Sequence, residues 1–161
     1  MRVLENGYIV RDVGLDQING LARLHRSSFQ QSWSADDFAL FLQDRSMRMF
    51  VAFQQGVKGP LAFLLVRSAA DEAEVISLAV EPKHRRRGLG EGLMDLAIDA
   101  LLEQGITTLH LEVDEQNVAA VKLYENLGFD VVGTRKAYYR QGQGEKATSA
   151  LVMSLQLGED D

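Results

Sequence analysis

The stretch from Glu74 to Ala97 reads EVISLAVEPKHRRRGLGEGLMDLA and joins an apolar run to a helical pattern. The run over 75–80 is nearly unbroken in apolar residues, which predicts a buried strand. Pro82 and a basic turn punctuated by glycines follow it. Apolar residues then recur at helical spacing, at Leu89, Leu93, Leu96, Ala97 and Ala100. The stretch therefore predicts a strand, a loop and the N-terminus of a helix.

A junction of this kind can bind an anion. The first turn of a helix has backbone N–H groups without partners, and the helix dipole adds partial positive charge there. Gly88 and Gly90 leave the backbone open to a phosphate, while Arg85, Arg86 and Arg87 add charge and donors. The alternative is a solvated basic face followed by a loose turn. Because the strand precedes and the helix follows, we favour a pyrophosphate site.

The spacing of the loop excludes two common phosphate motifs. A P-loop needs four residues between its glycines and then Lys and Ser or Thr, which Arg85–Gly90 lacks. The dinucleotide fingerprint needs a third small residue where this chain has Leu93. The pyrophosphate therefore belongs to another class of ligand.

Length and composition predict one soluble domain. The chain has 161 residues, enough for a single core, and we expect a domain over 1–157 with a disordered acidic tail at 158–161. No stretch approaches the roughly 20 apolar residues of a membrane span, and residues 1–10 lack the apolar run of a signal peptide. We therefore expect a cytoplasmic protein with no membrane partner.

Residue usage narrows the chemistry. The absence of cysteine excludes disulfides, thiolate metal sites and an acyl-cysteine intermediate. His25, His84 and His110 lie far apart in sequence, so we predict no metal site. The net charge of −6 argues against a nucleic-acid partner. Basic residues concentrated at 83–87 on an acidic chain suit a phosphorylated small ligand and a cationic acceptor.

The remaining patterns predict an alternation of strands and helices. We expect a first strand, a helix starting at Asp16, a second helix capped by Ser34, a hairpin, and a third strand antiparallel to it. After the central helix, which Gly105 ends, comes a strand parallel to the third one, then a helix starting near Asn117 and two more strands. An exposed last strand could pair with a second copy. The strands are predicted at 7–13, 47–54, 60–67, 75–80, 107–113, 129–139 and 148–155.

Two segments resemble the signatures of the GNAT superfamily of N-acetyltransferases. The first is Arg85–Gly90, and the second runs from Asn117 through Ala120 and Leu123-Tyr124-Glu125 to Phe129. The resemblance implies an α/β (α+β) fold with a mixed, mostly antiparallel sheet, flanking helices and two parallel strands that diverge at the cofactor. It further implies acetyl-CoA as co-substrate, without a metal. The implied cofactor-binding residues are Leu78, Ala79, Val80, Arg85, Arg86, Arg87, Gly88, Leu89, Gly90, Asn117 and Ala120. Asn117 could equally be only a helix cap.

Direct transfer of an acetyl group to an amine in a ternary complex needs one base and one acid. Glu112 is the candidate base, because it faces away from Leu111 and Val113 near the end of its strand. The alternative for Glu112 is an exposed edge residue. The resemblance makes Tyr124 the acid that protonates the CoA thiolate, and the alternative is a tyrosine packed on the core. Whether the base acts directly or through water stays open.

Within the superfamily, the chain is most similar to the RimI type of ribosomal-protein-alanine N-acetyltransferases. Trp33-Ser34, Leu111-Glu112-Val113 and Tyr138-Tyr139 carry this similarity. It implies that the acceptor is a protein N-terminal amine and that Trp33, Tyr138 and Tyr139 border it. Trp33 could instead only staple the helix capped by Ser34. Two other functions stay open: acetylation of a small-molecule amine, and a non-catalytic acyl-CoA-binding module.

Overall fold

In the computed structural model we describe residues 1–29, 31–140 and 145–158, and for 137–140 and 145–147 the backbone alone. Most of the predicted acidic tail therefore lies outside the described residues. These residues form twelve strands and α-helices, in the order β1 (Arg2–Val3), β2 (Tyr8–Asp12), α1 (Ile18–Ser28), α2 (Ala35–Gln43), β3 (Met47–Gln54), β4 (Ala62–Ala69), β5 (Glu72–Val80), α3 (Leu89–Glu103), β6 (Thr108–Asp114), α4 (Val118–Asn126), β7 (Asp130–Arg140) and β8 (Glu145–Gln156).

The strands form a single eight-stranded sheet in the order β1-β2-β3-β4-β5-β6-β8-β7. Every neighbouring pair is antiparallel except β5 and β6, which are parallel and joined through α3. The predicted mixed, mostly antiparallel sheet is therefore confirmed. The expectation of an exposed last strand was wrong: β8 lies between β6 and β7, and β7 forms the edge.

The parallel strands stay together for only three residue pairs. Glu72, Ala73 and Glu74 of β5 face Thr108, Leu109 and His110 of β6, and the pairing stops there. Just beyond, the register between β4 and β5 shifts, and Ile76 is the extra residue on β5. A bulge of this kind bends its strand and increases the local twist. The carboxyl-terminal half of β5 therefore leaves β6 and opens a gap in the sheet.

Two hydrophobic clusters cover the two faces of the sheet. On one face, α3 and α4 bury Leu89, Leu93, Ala97 and Tyr124 against the strands, together with Leu111 and Val113. On the other face, α1 and α2 bury Leu21, Leu24 and Phe38 against Phe63 and Leu65. Each large apolar side chain buried in this way contributes roughly 1.5–3 kcal/mol. Leu109, Leu111 and Val113 are buried on the same face of β6, as their alternation predicts.

The helix ends follow the predicted local signals, with one exception. Ser34 and Asp37 form a reciprocal capping box at the start of α2, and the Asn117 side chain caps α4 by accepting from the N–H of Ala120. The exception is Asp16, which lies in a short 3-10 turn, so that α1 begins only at Ile18. Among the described residues, no helix is long and apolar enough to cross a membrane.

Candidate active site

The loop from Pro82 to Gly88 presents unpaired backbone N–H groups at the start of α3. A 3-10 turn (Pro82–His84) opens it, and α3 begins at Leu89. Arg86 and Gly88 both have positive φ, +64° and +81°, a region that favours glycine. The N–H groups of 86–88 donate to no acceptor within the described residues. Successive free N–H groups in such a backbone form a concave anion site.

This loop forms one end of a groove of about 590 Å³. The other walls come from the carboxyl-terminal half of β5, the first two turns of α4 and the last turn of α1. All the predicted cofactor-binding residues line this groove except Arg87. The lining residues are Ser28, Phe29, Leu78, Ala79, Val80, His84, Arg85, Arg86, Gly88, Leu89, Gly90, Glu91, Asn117, Ala119, Ala120 and Leu123.

The structure directs the side chain of Arg87 away from the groove. Its Nη1 donates to the hydroxyl of Tyr8 at 3.1 Å, and the same hydroxyl lies 2.9 Å from Nδ1 of His84. Tyr8 is completely buried on β2. This contact was not expected from the sequence, and cofactor binding by Arg87 stays a prediction. Its side chain holds the loop to the sheet.

Gly90 has a packing role besides leaving the backbone open. A Cβ at Gly90 would lie 3.2 Å from Cδ2 of Leu123 and 3.8 Å from Cδ2 of Leu78. The start of α3 therefore approaches α4 more closely than an ordinary side chain allows. Gly88 has open space around it, and its positive φ is what requires glycine there.

Several residues that line the groove could not be predicted from a sequence motif. Ser28 and Phe29 end α1, far from either motif, and only the packing of α1 on the sheet brings them to the groove. The Oγ of Ser28 is buried and has no hydrogen-bond partner within the described residues. Since buried polar atoms normally find partners, this hydroxyl is available to a ligand.

Glu112 lies on β6 two residues beyond the last β5–β6 pair, beside the gap in the sheet. Its side chain is 32% exposed and points to the face that carries α1 and α2. Arg135 of β7 contacts its carboxylate at 2.7 Å. The predicted orientation of Glu112 is confirmed, while the ion pair was not expected from the sequence.

Tyr124 approaches the sheet from the opposite face. It is 6% exposed, belongs to the cluster of α3 and α4, and packs edge-on against Phe129 with ring centroids 5.7 Å apart. Burial raises the pKa of Tyr124 to about 12. Its hydroxyl is therefore a proton donor that stays neutral at any working pH.

Trp33 is held by an aromatic stack at the end of α1. The ring of His25 lies between Phe29 and Trp33, at centroid distances of 4.3 Å and 4.4 Å. The Nδ1 of His25 accepts the backbone N–H of Trp33 at 2.9 Å, and burial lowers the pKa of His25. The staple partner expected for Trp33, Phe38, meets it edge-on at 5.6 Å. The stack fixes Trp33 in one position.

Trp33 also lines a second cavity of about 440 Å³ between α1 and the start of α2. Asn19, Arg23, Arg26, Ser32 and Ser34 make this cavity polar. The side chains of the other two predicted acceptor residues, Tyr138 and Tyr139, lie outside the described part of the structure. Their backbones pair with Ala147 and Lys146 of β8.

The family model described as "Acetyltransferase (GNAT) family" matches residues 18–129, which include the loop, the gap and α4. The chain belongs to the GNAT family of acetyltransferases. It is similar to the [ribosomal protein bS18]-alanine N-acetyltransferase of Escherichia coli K12, with 37% identity over 124 residues, 76% of this chain and 80% of that one.

Solved structures of the family share the fold. The ribosomal-protein-S18-alanine N-acetyltransferase of Escherichia coli matches with a TM-score of 0.84 and 30% identity over 96% of both chains. Arabidopsis thaliana NAA60, solved in complex with acetyl-CoA, matches with a TM-score of 0.79 over 92% of this chain and 98% of its own. At 14% identity NAA60 supports the fold alone. The family match and the relatives at 30% identity or more make the present GNAT protein an acetyl-CoA-dependent N-acetyltransferase.

The groove of this GNAT chain fits acetyl-CoA. Arg85, Arg86 and the free N–H groups of the loop suit a pyrophosphate, and the apolar wall of Leu78, Val80 and Leu123 suits the pantetheine arm. The unpartnered Ser28 hydroxyl offers a hydrogen bond along that arm. Within the described residues no group of three or more potential metal ligands occurs.

Proposed function

We propose that this protein acetylates the N-terminal α-amine of a ribosomal protein that begins with alanine. The observation that carries the proposal is the gap between β5 and β6, with Glu112 on one face of the sheet and Tyr124 on the other. The substrate class follows from the Escherichia coli relative, which is named for alanine N-acetylation of ribosomal protein bS18. Such a reaction belongs in the cytoplasm.

The groove residues bind and orient the co-substrate, which supplies a thioester-activated acetyl group. Arg85, Arg86 and the N–H groups before α3 would hold the pyrophosphate. The freed backbone of β5 after Glu74 lacks a strand partner on its β6 side, so its N–H and C=O groups can pair with the pantetheine amides as a strand would. Asn117 would hold the arm from the start of α4.

Glu112 and Tyr124 would handle the two protons of the reaction. Glu112, directly or through a water molecule, accepts the proton that the acceptor amine must lose. Tyr124 donates its hydroxyl proton to the departing thiolate. A phenol whose pKa burial raises to about 12 keeps that proton until the thiolate forms. Since the two groups approach from opposite faces of the sheet, Glu112 can reach the acceptor amine while Tyr124 reaches the thiolate of CoA.

An α-amine suits this base better than a lysine does. A free N-terminus with a pKa near 7.8 is roughly one-tenth neutral at pH 7, whereas a lysine near 10.4 is neutral in only about one molecule in a few thousand. A lysine acceptor therefore needs about 3.5 kcal/mol more help to lose its proton. We propose that Trp33, Tyr138 and Tyr139 border the acceptor chain and complete the site.

The test is CoA release from acetyl-CoA with short peptides that differ only in their first residue, each paired with a blocked N-terminus. Polyamines and aminoglycosides form the comparison set. We expect turnover with free Ala-starting peptides that disappears on blocking. If only the small amines are acetylated, the acceptor is a small-molecule amine and the proposed protein N-terminus is wrong. Binding of acetyl-CoA without turnover of any acceptor would indicate a non-catalytic module.

The catalytic pair is tested by Glu112→Gln and Tyr124→Phe. We expect each to lower kcat about 10²-fold or more, the usual contribution of a general base or acid. Glu103→Gln, on the exposed last turn of α3, is the matched control and should retain full activity. Full turnover by folded Glu112→Gln and Tyr124→Phe over a range of pH would refute the assignment.

A further inference from the structure

Arg135 reaches over a neighbouring strand to the carboxylate of Glu112. Its Nε donates to Oε1 of Glu112 at 2.7 Å, and its Nη2 lies 2.7 Å from the same oxygen. Arg135 belongs to β7 and Glu112 to β6, with β8 between them. The contact therefore joins the edge of the sheet to the gap where β5 departs.

The strand register explains how the side chain crosses. Arg135 pairs with Ala150 of β8, and Ala150 pairs in turn with Asp114 of β6. Paired residues on neighbouring strands point to the same face. The methyl group of Ala150, which is fully buried, leaves room for the guanidinium to pass diagonally towards Glu112.

Both contacts go to one oxygen, so the other oxygen of Glu112 stays open. Within the described residues, Oε2 accepts no hydrogen bond. Two other titratable groups of β6 share this face, and both are engaged elsewhere. His110 contacts Ser154 and Glu72, while Asp114 accepts the N–H of Gln116. Arg135 is thus the one charged group that contacts Glu112 in the described structure.

We propose that Arg135 is the positioning residue of the catalytic base, fixing Glu112 so that Oε2 faces the acceptor amine. The inference rests on the proposed role of Glu112. Through the hydrogen bond from Nε and the contact of Nη2, both to Oε1, the planar guanidinium fixes the rotamer of the carboxylate. The proton released by the acceptor amine then goes to Oε2, and the nitrogen keeps the lone pair that attacks the acetyl carbonyl.

A second Arg–Glu pair in the sheet provides a matched comparison. Arg67 of β4 and Glu74 of β5 also pair across strands, at 3.3 Å, and both side chains are about half exposed. Exposed pairs of this kind contribute little to stability. Arg67→Ala therefore controls for the loss of a surface cation and a cross-strand ion pair away from the base.

The experiment measures kcat and both KM values for Arg135→Ala, Arg135→Lys, Arg67→Ala, Glu112→Gln and the double variant Glu112→Gln/Arg135→Ala. We expect Arg135→Ala to lower kcat about tenfold with an unchanged KM for acetyl-CoA, since displacing a catalytic group by 1 Å can cost up to about 10²-fold. Arg135→Lys should recover part of the loss, and Arg67→Ala should match the wild type. In the double variant, removing Arg135 should cost nothing further, because the carboxylate it orients is already gone.

Chemical rescue separates positioning from a structural effect. Guanidinium at about 20 mM, far below the molar concentrations that unfold proteins, should restore activity to Arg135→Ala and leave Arg67→Ala unchanged. An unchanged kcat in Arg135→Ala, or a further tenfold loss in the double variant, would overturn the inference. If Glu112→Gln itself retained full activity, the proposed base would be wrong. If the wild-type enzyme acted only on small amines, the proposed protein N-terminal acceptor would be wrong. The same variants would then be assayed on the small amine.

Discussion

The hydroxyl of Tyr8 accepts a hydrogen bond from Nη1 of Arg87 at 3.1 Å. Tyr8 lies on β2, near the start of the chain, and its side chain passes through the core to reach the loop before α3. Its hydroxyl also contacts His84 at 2.9 Å. One buried residue thus contacts both an arginine and a histidine of the loop before α3, whose N–H groups we propose bind the pyrophosphate.

We predict that Tyr8→Phe weakens acetyl-CoA binding without changing the chemical step. Losing two hydrogen bonds at the loop costs about 1–3 kcal/mol in total, part of it in stability and part in loop order. We expect a severalfold higher KM for acetyl-CoA and a nearly unchanged kcat, measured by thiol release. The dissociation constant from calorimetry should rise by the same factor. An unchanged affinity in the folded variant would show that the loop keeps its conformation without Tyr8.

Glu91 lies in the first turn of α3 and lines the groove that we propose binds acetyl-CoA. A negative charge there suits the helix dipole but repels a pyrophosphate. We predict that Glu91→Gln tightens acetyl-CoA binding about two- to threefold, because unit charges about 8 Å apart in water interact by about 0.5 kcal/mol. The gain should shrink at high salt. Glu103→Gln, which removes a similar charge from the other end of the helix, should leave the affinity unchanged.

His25 makes the free energy of unfolding depend on pH. Burial lowers its pKa, so the folded protein binds this proton less readily than the unfolded chain does. The stabilisation is complete above the unfolded pKa of about 6.5 and is lost as the pH falls below it. Urea unfolding between pH 7.5 and pH 5, followed by the fluorescence of the single tryptophan, Trp33, should show the loss.

The control for this pH effect is His25→Phe. We expect the variant to lose the part of the acid destabilisation that belongs to His25, because no titrating group remains there. It should also be less stable by about 1 kcal/mol at neutral pH, since the N–H of Trp33 loses its acceptor. If the stability of His25→Phe falls as steeply at acid pH as that of the wild type, the effect belongs to other titrating groups.

The raised pKa of Tyr124 predicts that the free energy of unfolding falls as the pH rises in the alkaline range. Its pKa is about 12 in the folded protein and about 10 in an unfolded chain. The unfolded state therefore releases this proton first, and stability falls by up to about 1.4 kcal/mol per unit between pH 10 and pH 12. Urea unfolding across this range should show a shallower decline in Tyr124→Phe. The basic limb of the wild-type kcat profile below pH 10 should not come from Tyr124.

Local features of the fold could be predicted from the sequence because a few neighbouring residues encode them. The capping box of Ser34 and Asp37, the cap at Asn117 and the alternation along β6 all depend on spacing within one helix turn or one strand. The loop before α3 is similar: its glycine at positive φ and its arginines are contiguous. These signals sufficed for the family, the loop before α3 and the orientation of Glu112.

Contacts between distant segments could not be predicted in the same way. Tyr8 and Arg87 are 79 residues apart, and Arg135 and Glu112 are 23 apart with another strand between them. Both contacts depend on strand order and register, which the local pattern of either segment leaves open. For the same reason, the position of β8 between β6 and β7 could not be predicted from the sequence.

By itself, therefore, the sequence determined which segments form the longer strands and the helices, the glycine-punctuated basic loop before α3 and the candidate residues for acid and base chemistry. The tertiary structure alone decided that Arg87 contacts Tyr8 and that Arg135 contacts Glu112. Hydrogen-bonding and dihedral preferences act within a few residues of the chain. The direction of a long side chain is decided by the partner that the folded sheet brings within reach.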